Sequence, residues 1–462
     1  MKPTPVIAVF DVGKTNKKLF LFDEGYNIVF ERSARFNETE DEDGFPCENL
    51  ESLKLSVFDS LNEISKLKEF DLKAVNFSAY GASFAYLDKG GQAIAPLYNY
   101  LKPYPEDLKK QFYNTYGGET KFSFQTASPA LGNLNSGLQL YRIKHQKPEL
   151  FKKIKCALHL PQYLSYLVSG KKFSDLTSIG CHTALWDFGR NDYHEWLVKE
   201  GIIDKLAPIH PSDEVVASSI PNSNYKVGIG LHDSSAALIP YLVSFNEPFI
   251  LLSTGTWAIS LNPFNQSPLT EDELKHDCLN YIQYNGKPVK ASRLFSGYDY
   301  EEKVKHIAEQ FNVDVLKYRN IPFEVRKSES PEVRKKKERG RGLEAEDQKS
   351  LTFGARDLAG FSNDIEAYYQ LMIDIVQQQK ISTSFVLKGT PVKRIFVDGG
   401  FSKNSVFMHL LASAFPNLEI YAASMAQATA LGTALAIHNH WNSKPIPNDL
   451  IALKYYSGSN KL

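Results

Sequence analysis

The sequence contains few cysteines, no excess of charge of either sign and no long apolar run. Its four cysteines stand far apart, and no two of them have the Cys-x-x-Cys spacing that is typical of zinc and redox sites. They are Cys47, Cys156, Cys181 and Cys278. We therefore expect reduced thiols, as in a cytoplasmic protein, and neither a disulfide framework nor a zinc site.

The balance of charge and the length of the apolar runs exclude further classes of protein. Lys and Arg together number 53, as do Asp and Glu, so the formal net charge is zero. Nucleic-acid-binding proteins normally carry a basic excess, so we expect no nucleic-acid partner. The N-terminal apolar run is interrupted by Asp11, and no run is long enough for a membrane span. These features predict a cytoplasmic protein without a membrane partner.

Two parts of the chain follow the same pattern, in which an apolar strand, a polar turn with glycine and a second strand succeed one another. The first part covers residues 6–22 and the second covers residues 249–261. We interpret this as an internal structural duplication. A turn-rich stretch at residues 219–227 separates the two halves, so we predict one domain over residues 1–225 and another over residues 226–462.

The two polar turns are candidates for binding a phosphate. The first contains Gly13, Lys14, Thr15 and Asn16, and the second contains Ser253, Thr254, Gly255 and Thr256. Glycine and small hydroxylated residues can present backbone N–H groups to an anion. Any β-hairpin needs such residues, so one turn alone would indicate nothing more. Two turns at equivalent places indicate a nucleotide whose phosphates are held between two lobes.

A third motif, Asp398-Gly399-Gly400, follows the apolar residues 392–397. Glycines at this point allow the backbone to lie against a ligand such as a nucleoside, although an ordinary strand-to-helix turn would use them too. We expect Ser402 to cap a helix that begins near Asn404.

The candidate catalytic base is Asp233, which follows a glycine-rich approach and precedes small residues of a predicted helix. An ionised carboxylate there can accept the proton of a substrate hydroxyl as it attacks a γ-phosphate. The alternative is an aspartate that caps the helix, and the two roles are compatible. Its neighbour His232 is either a substrate ligand or a structural histidine. Asp11, at the end of the first strand, either orients Mg²⁺ through water, contacts the substrate or caps its turn.

These motifs, in this order, resemble those of the FGGY carbohydrate kinases, a family within the actin, hexokinase and heat-shock-chaperone ATPase superfamily. The resemblance lies in residues 11–16, 230–236, 253–257 and 398–404. It implies an α/β fold of two ribonuclease-H-like domains around a cleft, with ATP and Mg²⁺ on the C-terminal side. Asp11, Gly13, Lys14, Thr15, Asn16, Thr254, Gly255, Thr256, Gly399, Gly400 and Asn404 would bind the nucleotide, with Asp11 at the metal.

The same resemblance places the sugar in the N-terminal domain. The sugar loop would be Tyr80, Gly81 and Ala82, with His232 and Asp233 opposite. The motif around Asp233 is most similar to the rhamnulokinase and fuculokinase branch. The substrate implied is a ketose such as L-rhamnulose or L-fuculose, with a pentulose such as xylulose as second candidate.

Two other functions compete with a sugar kinase. A non-catalytic sensor of sugar or nucleotide would need no base, which Asp233 argues against. A chaperone-like or actin-like ATPase would need a protein-binding domain or filament surfaces. The pattern leaves a homodimer open, and the role of the charged residues 326–349 too, although their mixed charges favour a solvated surface.

Overall fold

A computed structural model describes residues 2–14, 16–325, 354, 356–425 and 427–458. Thr15 and the charged residues 326–349 lie outside the described residues.

The first of two large sheets is built on the N-terminal hairpin of Thr4–Val12 and Lys17–Asp23. Phe70–Ala79 pairs with Thr4–Val12 in parallel, and Leu231–His232 pairs in parallel with the far part of Phe70–Ala79. Residues 6–9 are fully buried, as expected for a central strand that is covered on both faces. The strand order is Val215–Ala217, Lys226–Gly228, Phe70–Ala79, Thr4–Val12, Lys17–Asp23 and Ile28–Ala34.

The second sheet repeats this arrangement. Phe249–Thr254 and Ala258–Asn262 form its hairpin, and Arg394–Gly399 pairs in parallel with Phe249–Thr254. The α/β fold class and the duplicated plan are therefore confirmed. The strand order is Cys278–Ile282, Pro288–Leu294, Ala258–Asn262, Phe249–Thr254, Arg394–Gly399, Glu419–Ser424 and Ala452–Tyr456.

The first sheet extends beyond the boundary predicted at residues 225 and 226. Lys226–Gly228 and Leu231–His232 both pair with Phe70–Ala79. Two short strands assigned to the second domain from sequence therefore belong to the first sheet, and the domain boundary itself stays a prediction.

Two helices connect the sheets. Asp233–Ser244 continues from the first sheet, and its Tyr241 packs against Phe396 of the second. Ala428–Ala436 follows a strand of the second sheet and packs against the first sheet, because its Leu431 lies in a cluster with Ile7. The two helices lie in close contact. A Cβ atom on Gly432 would come within 1.9 Å of the carbonyl oxygen of Ala236.

The other helices surround the two sheets. They are Leu50–Ile64, Glu106–Thr115, Glu119–Thr126, Ser136–Gln146, Pro148–Lys153, Leu160–Ser169, Leu176–Ile179, Trp196–Lys199, Glu271–Lys275, Ser296–Gln310, Asp364–Leu387, Ser405–Ala414 and His438–Trp441. Short 3₁₀ turns occupy Gly132–Leu134, Ile203–Lys205, Val315–Asn320, Leu358–Gly360 and Phe401–Lys403. Two-strand pairs join Thr39–Glu40 to Pro46–Cys47, Phe84–Leu87 to Cys156–His159, Ser174–Asp175 to Ile209–His210 and Trp186–Asp187 to Asp192–Tyr193.

The N-cap of one helix differs from the sequence prediction. The helix Ser405–Ala414 is capped by Asn404, whose side chain accepts a hydrogen bond from the N–H of Phe407, so the expected cap at Ser402 is wrong. Asparagine at this position satisfies a free N–H of the first turn.

Across the described ranges, no helix is long and apolar enough to span a bilayer.

Candidate active site

Three parallel strands end side by side at one edge of the first sheet. Asp11 is in register with Ser78, and Leu231 is in register with the same Ser78 from the other side. Because parallel strands bring their carboxyl ends to a common edge, the residues that follow them meet there. This register brings Asp11, the predicted sugar loop and Asp233 to one place.

Asp233 is the first residue of its helix, and the N-cap position belongs to His232. The alternative of a capping aspartate is therefore wrong in detail, although a carboxylate in the first turn still interacts favourably with the helix dipole. Its Oδ1 accepts a hydrogen bond of 2.6 Å from the N–H of Ser234. Burial raises the pKa of Asp233 to about 6, which the Ser234 hydrogen bonds partly oppose. A third of the side chain remains exposed, so a substrate can reach it.

His232 lies beside this carboxylate as a neutral imidazole. Burial lowers its pKa to about 3, and its Nε2 lies 3.2 Å from Oδ1 of Asp233. Its Nδ1 lies 3.5 Å from Oγ of Ser235, whose hydroxyl donates to the carbonyl of Ile282, so Nδ1 carries the ring hydrogen and donates it to Ser235. The ring in turn stacks on Tyr281, with centroids 5.6 Å apart, and the backbone N–H of His232 donates to Oγ1 of Thr177. The histidine is therefore held from both sides.

Asp11 is the second carboxylate of the site. Its Oδ1 accepts a hydrogen bond of 3.0 Å from the Ser78 hydroxyl. Burial raises the pKa of Asp11 to about 6; the Ser78 hydrogen bond opposes this shift, and the negative charge of Asp233 adds to it. A buried carboxylate whose ionisation is opposed by the charge of a second carboxylate favours a cation nearby.

The predicted sugar loop surrounds His232. A Cβ atom on Gly81 would lie 3.0 Å from Nε2 of His232 and 3.0 Å from Sγ of Cys181, so any larger residue would press on these two side chains. Ala82 is fully buried with φ of 69°, and its carbonyl accepts from Gln139. Ala82 therefore shapes the loop.

Tyr80 is only 8% exposed and packs in the core of the first sheet. Its ring lies 5.9 Å from that of Tyr100, which is half-buried and close enough to Asp233 for that charge to raise the pKa of Tyr100. Burial is the larger cause of that shift. Tyr100, which the sequence analysis missed, therefore lies nearer to the candidate base.

The first phosphate turn is closed by a hydrogen bond of 2.9 Å from the N–H of Gly13 to the carbonyl of Asn16. Lys14 forms an ion pair of 2.5 Å with Glu38, so its charge is partly used within its own lobe. The buried Lys17 supports the turn from below, since its Nζ donates to the carbonyl of Lys14 and pairs with Glu48.

The second phosphate turn and the glycine motif form one hydrogen-bonded unit. The Thr254 hydroxyl donates to the carbonyl of Asp398 and accepts from the N–H of Phe401. The N–H of Gly400 donates to the carbonyl of Thr254 over 2.8 Å. Gly255 is exposed and has open space in the direction that a side chain would take. These hydrogen bonds therefore fix the unit in the fold, while Gly255 remains accessible to a ligand.

A cavity of about 550 Å³ lies against this unit. The predicted nucleotide-binding residues of the second half line it, except Gly399, which directly precedes the lining residue Gly400. Asp11, Gly13, Lys14 and Asn16 do not line it. Tyr300 and Phe401, with rings 5.4 Å apart, offer apolar surface, and Arg319 adds positive charge. The lining residues are Thr254, Gly255, Thr256, Gly297, Tyr300, Glu301, Arg319, Asn320, Gly400, Phe401, Lys403 and Asn404.

Chemically, the site combines a carboxylate that can take up a proton near neutral pH with glycine-lined turns that suit an anion. A cavity with aromatic and cationic walls lies beside the second turn. This set of groups suits proton removal from a hydroxyl that attacks a phosphate ester.

Comparisons with known proteins agree with this chemistry. The model of the FGGY family of carbohydrate kinases, N-terminal domain, matches residues 6–239. The C-terminal domain of the same family matches residues 365–438, and a second model, carbohydrate kinase FGGY, C-terminal domain, matches residues 246–320.

Solved structures share the fold over nearly the whole chain. A carbohydrate kinase from Novosphingobium aromaticivorans is 23% identical, with a TM-score of 0.78 over 98% of this chain and 96% of that chain. A ligand-bound xylulose kinase from Lactobacillus acidophilus is 15% identical, with a TM-score of 0.77 over 99% and 94%. A glycerol kinase from Plasmodium falciparum with ADP is 16% identical, with a TM-score of 0.73 over 99% and 94%.

Proposed function

This chain belongs to the FGGY family of carbohydrate kinases, and on that premise we propose that it transfers the γ-phosphate of ATP to a hydroxyl group of a ketose, with Asp233 as general base. The observation that carries the proposal is the state of Asp233. Ser234 fixes the carboxylate by hydrogen bonds, burial raises its pKa to about 6 and the side chain is partly exposed, so it is mostly ionised at pH 7 and accessible to a substrate.

In this reaction Asp233 accepts the proton of the sugar hydroxyl while the hydroxyl oxygen forms a bond to the γ-phosphorus. The bond from that phosphorus to the β-bridging oxygen breaks, and ADP leaves. Because the transition state of phosphoryl transfer is loose, orientation and charge stabilisation supply most of the rate. Because burial lowers the pKa of His232 to about 3, this neighbour is neutral and does not cancel the charge of the carboxylate.

The cavity at the second phosphate turn supports the assignment of the nucleotide to the C-terminal side. Tyr300 and Phe401 offer surface to a base, while Arg319 and Lys403 offer charge to phosphates. The glycines of both turns remain proposed contacts of the phosphate chain. Gly13, Lys14, Thr15 and Asn16 would act from the other lobe.

Mg²⁺ would be held by Asp11. The residues fit such an ion, because Asp11 is a buried carboxylate with a raised pKa close to a second carboxylate. When bound, the ion would neutralise charge on the phosphates of ATP. Ser78 orients the carboxylate toward the site by its hydrogen bond.

For the acceptor we propose a ketose that reaches the space bounded by Gly81, His232 and Asp233. The motif around Asp233 favours L-rhamnulose or L-fuculose. A pentulose is an equal candidate, because solved structures with the same fold include xylulose kinases from Lactobacillus acidophilus and Rhodospirillum rubrum.

A coupled assay of ADP formation tests the proposal. The purified chain is given ATP, Mg²⁺ and, in turn, L-rhamnulose, L-fuculose, xylulose, gluconate and glycerol. We expect one ketose to stimulate ADP formation well above the rate without sugar. Stimulation by gluconate or glycerol alone would refute the ketose assignment, and stimulation by none of the five would refute it as well.

A further inference from the structure

A cysteine and two histidines meet at the floor of the proposed sugar pocket. Cys181, His182 and His232 each offer one ligand atom, and these atoms all lie within 4.8 Å of one another. All three side chains are buried, with Cys181 fully inaccessible. His232 lies about 50 residues away from the other two in the chain, so the fold alone brings the trio together.

The three donor atoms are close enough together to share one ion. Zinc lies about 2.3 Å from a thiolate sulfur and about 2.0–2.1 Å from an imidazole nitrogen. Since the donor atoms of Cys181, His182 and His232 all lie within 4.8 Å of one another, small side-chain rotations would bring them to these distances. Gly81 borders the trio, because a Cβ atom there would lie 3.0 Å from Sγ of Cys181 and 3.0 Å from Nε2 of His232.

The hydrogen bonds of His182 favour coordination through its other ring nitrogen. Its Nδ1 lies 3.2 Å from the carbonyl oxygen of Leu134, which can only accept, so Nδ1 carries the hydrogen and Nε2 has a free lone pair. Metal-binding histidines usually have this arrangement, because the second hydrogen bond fixes the tautomer and the ring. The backbone of His182 is held as well, by a φ of 41° and a hydrogen bond from Asn135 to its carbonyl.

We propose that Cys181, His182 and His232 form a binding site for Zn²⁺ or another thiophilic divalent cation, and that the bound ion inhibits the enzyme. Nε2 of His232 has a free lone pair for the ion, because the ring hydrogen lies on Nδ1. There Oγ of Ser235, 3.5 Å away, accepts it, since the Ser235 hydroxyl itself donates to Ile282. The thiol of Cys181 releases its proton to solvent as it binds.

The inhibitory effect rests on the proposed function, whereas the binding site does not. An ion bound to Nε2 of His232 lies next to Asp233, because that nitrogen is 3.2 Å from Oδ1 of the carboxylate that the sugar hydroxyl must reach. Zn²⁺ should therefore compete with the sugar and leave the affinity for ATP unchanged.

Binding is tested with Co²⁺ as a probe on the full-length protein after chelation of other metals. We expect one Co²⁺ per chain and the near-ultraviolet charge-transfer absorption of a cobalt–thiolate bond. Cys181→Ser and His182→Ala should lose this absorption and weaken Co²⁺ binding by at least about tenfold. Cys278→Ser alters a cysteine that is equally buried but lies outside the trio, and it should bind Co²⁺ as the parent does.

Gly81→Ala retains all three ligands and presses on the side chains of Cys181 and His232, so it should also weaken binding. Circular dichroism and a thermal melt identify any variant that does not fold, and Gly81→Ala then decides the question. Wild-type protein without the thiolate absorption would overturn the proposal, as would equal Co²⁺ affinity in the folded variants. If Co²⁺ binds as expected but Zn²⁺ does not compete with any sugar, the inhibitory role is refuted and the site stands.

Discussion

A Cβ atom on residue 399 would lie 1.9 Å from the carbonyl oxygen of Thr254, so the glycine motif can meet the second phosphate turn only without a side chain there. Gly399 also has φ of 88°, which other residues rarely adopt. Gly255, directly after the strand Phe249–Thr254 of the same unit, has open space instead. These two glycines therefore serve different purposes, one in the fold and one at the proposed phosphate.

The two glycines give a matched pair of variants. Gly399→Ala should destabilise the protein by about 1–3 kcal/mol, because it combines backbone strain with overlap against Thr254. Gly255→Val should leave the free energy of unfolding nearly unchanged and raise the KM for ATP, because its side chain would occupy the place of the phosphates. Urea unfolding and initial rates measure both. Normal ATP affinity in Gly255→Val would show that this turn is only a hairpin.

Asp233→Asn should lower kcat by about 10²–10⁴-fold and leave ATP binding nearly intact. The amide keeps the shape and the hydrogen bond from Ser234 but cannot accept the sugar proton. Single-turnover rates and calorimetric titration with ATP separate the two effects. Asp272→Asn, at an exposed surface carboxylate, is the control and should behave as wild type. Turnover near the wild-type level in Asp233→Asn would eliminate this residue as the base.

The rate should fall on the acid side of neutrality. The base must be ionised, and burial raises the pKa of Asp233 to about 6. The value of kcat/KM for the sugar should therefore be constant above about pH 7 and decrease as the pH falls through about 6. Residual activity of Asp233→Asn should lack this limb. An acid limb with a midpoint near 4 would mean that Asp233 is not perturbed in the folded protein.

The raised pKa of Asp233 also predicts that its ionised form destabilises the folded protein. The pKa of Asp233 rises from 3.8 to about 6 on folding, so the ionised form is less stable in the folded protein. At pH 8, Asp233→Asn should increase the free energy of unfolding by on the order of 1 kcal/mol, a reduced figure because part of the side chain is solvated. The difference should shrink as the pH falls through 6 and vanish below about 4. A pH-independent difference in urea titrations would contradict this.

Tyr80 and Tyr100 test the choice between sugars. An apolar pocket discriminates weakly against an added hydroxyl, whereas a pocket that binds a hydroxyl strongly rejects its absence. Tyr80 packs its ring in the core, so Tyr80→Phe should change kcat/KM on a 6-deoxy ketose little. A tenfold loss of kcat/KM, about 1.4 kcal/mol, would mean that the phenol hydroxyl contacts the sugar. The argument for a 6-deoxy ketose would then fail. Tyr100→Phe, nearer to Asp233, is the comparison and should show the larger effect.

The sequence predicted those parts of the site that are built from consecutive residues. The two hairpin turns, the glycine motif and the segment before Asp233 each consist of a strand and the residues that follow it. The apolar runs of the strands and the positions of the glycines therefore predict them from short stretches of sequence. The register of Asp11, Ser78 and Leu231 then brings the first turn and the segment before Asp233 to one edge of the first sheet.

Residues that reach the site from distant elements were not predicted. Gly297 and Tyr300 line the nucleotide cavity from a helix without a recognisable motif, and Tyr281 reaches His232 from the second sheet. Nothing near them in the chain distinguishes them from ordinary core or surface residues. The pairing of Cys181 with His232 was missed for the same reason, because cysteine spacing reports only on ligands that are close in sequence.

The helix Ala428–Ala436 has a consequence for how the protein is made. Part of the apolar cover of the strand Thr4–Val12 comes from Leu431 and its neighbours, which are synthesised more than 400 residues later. At a synthesis rate of about 5–20 residues per second, the N-terminal sheet remains incompletely covered for tens of seconds. The N-terminal sheet therefore cannot complete its packing until residues 428–436 have been synthesised.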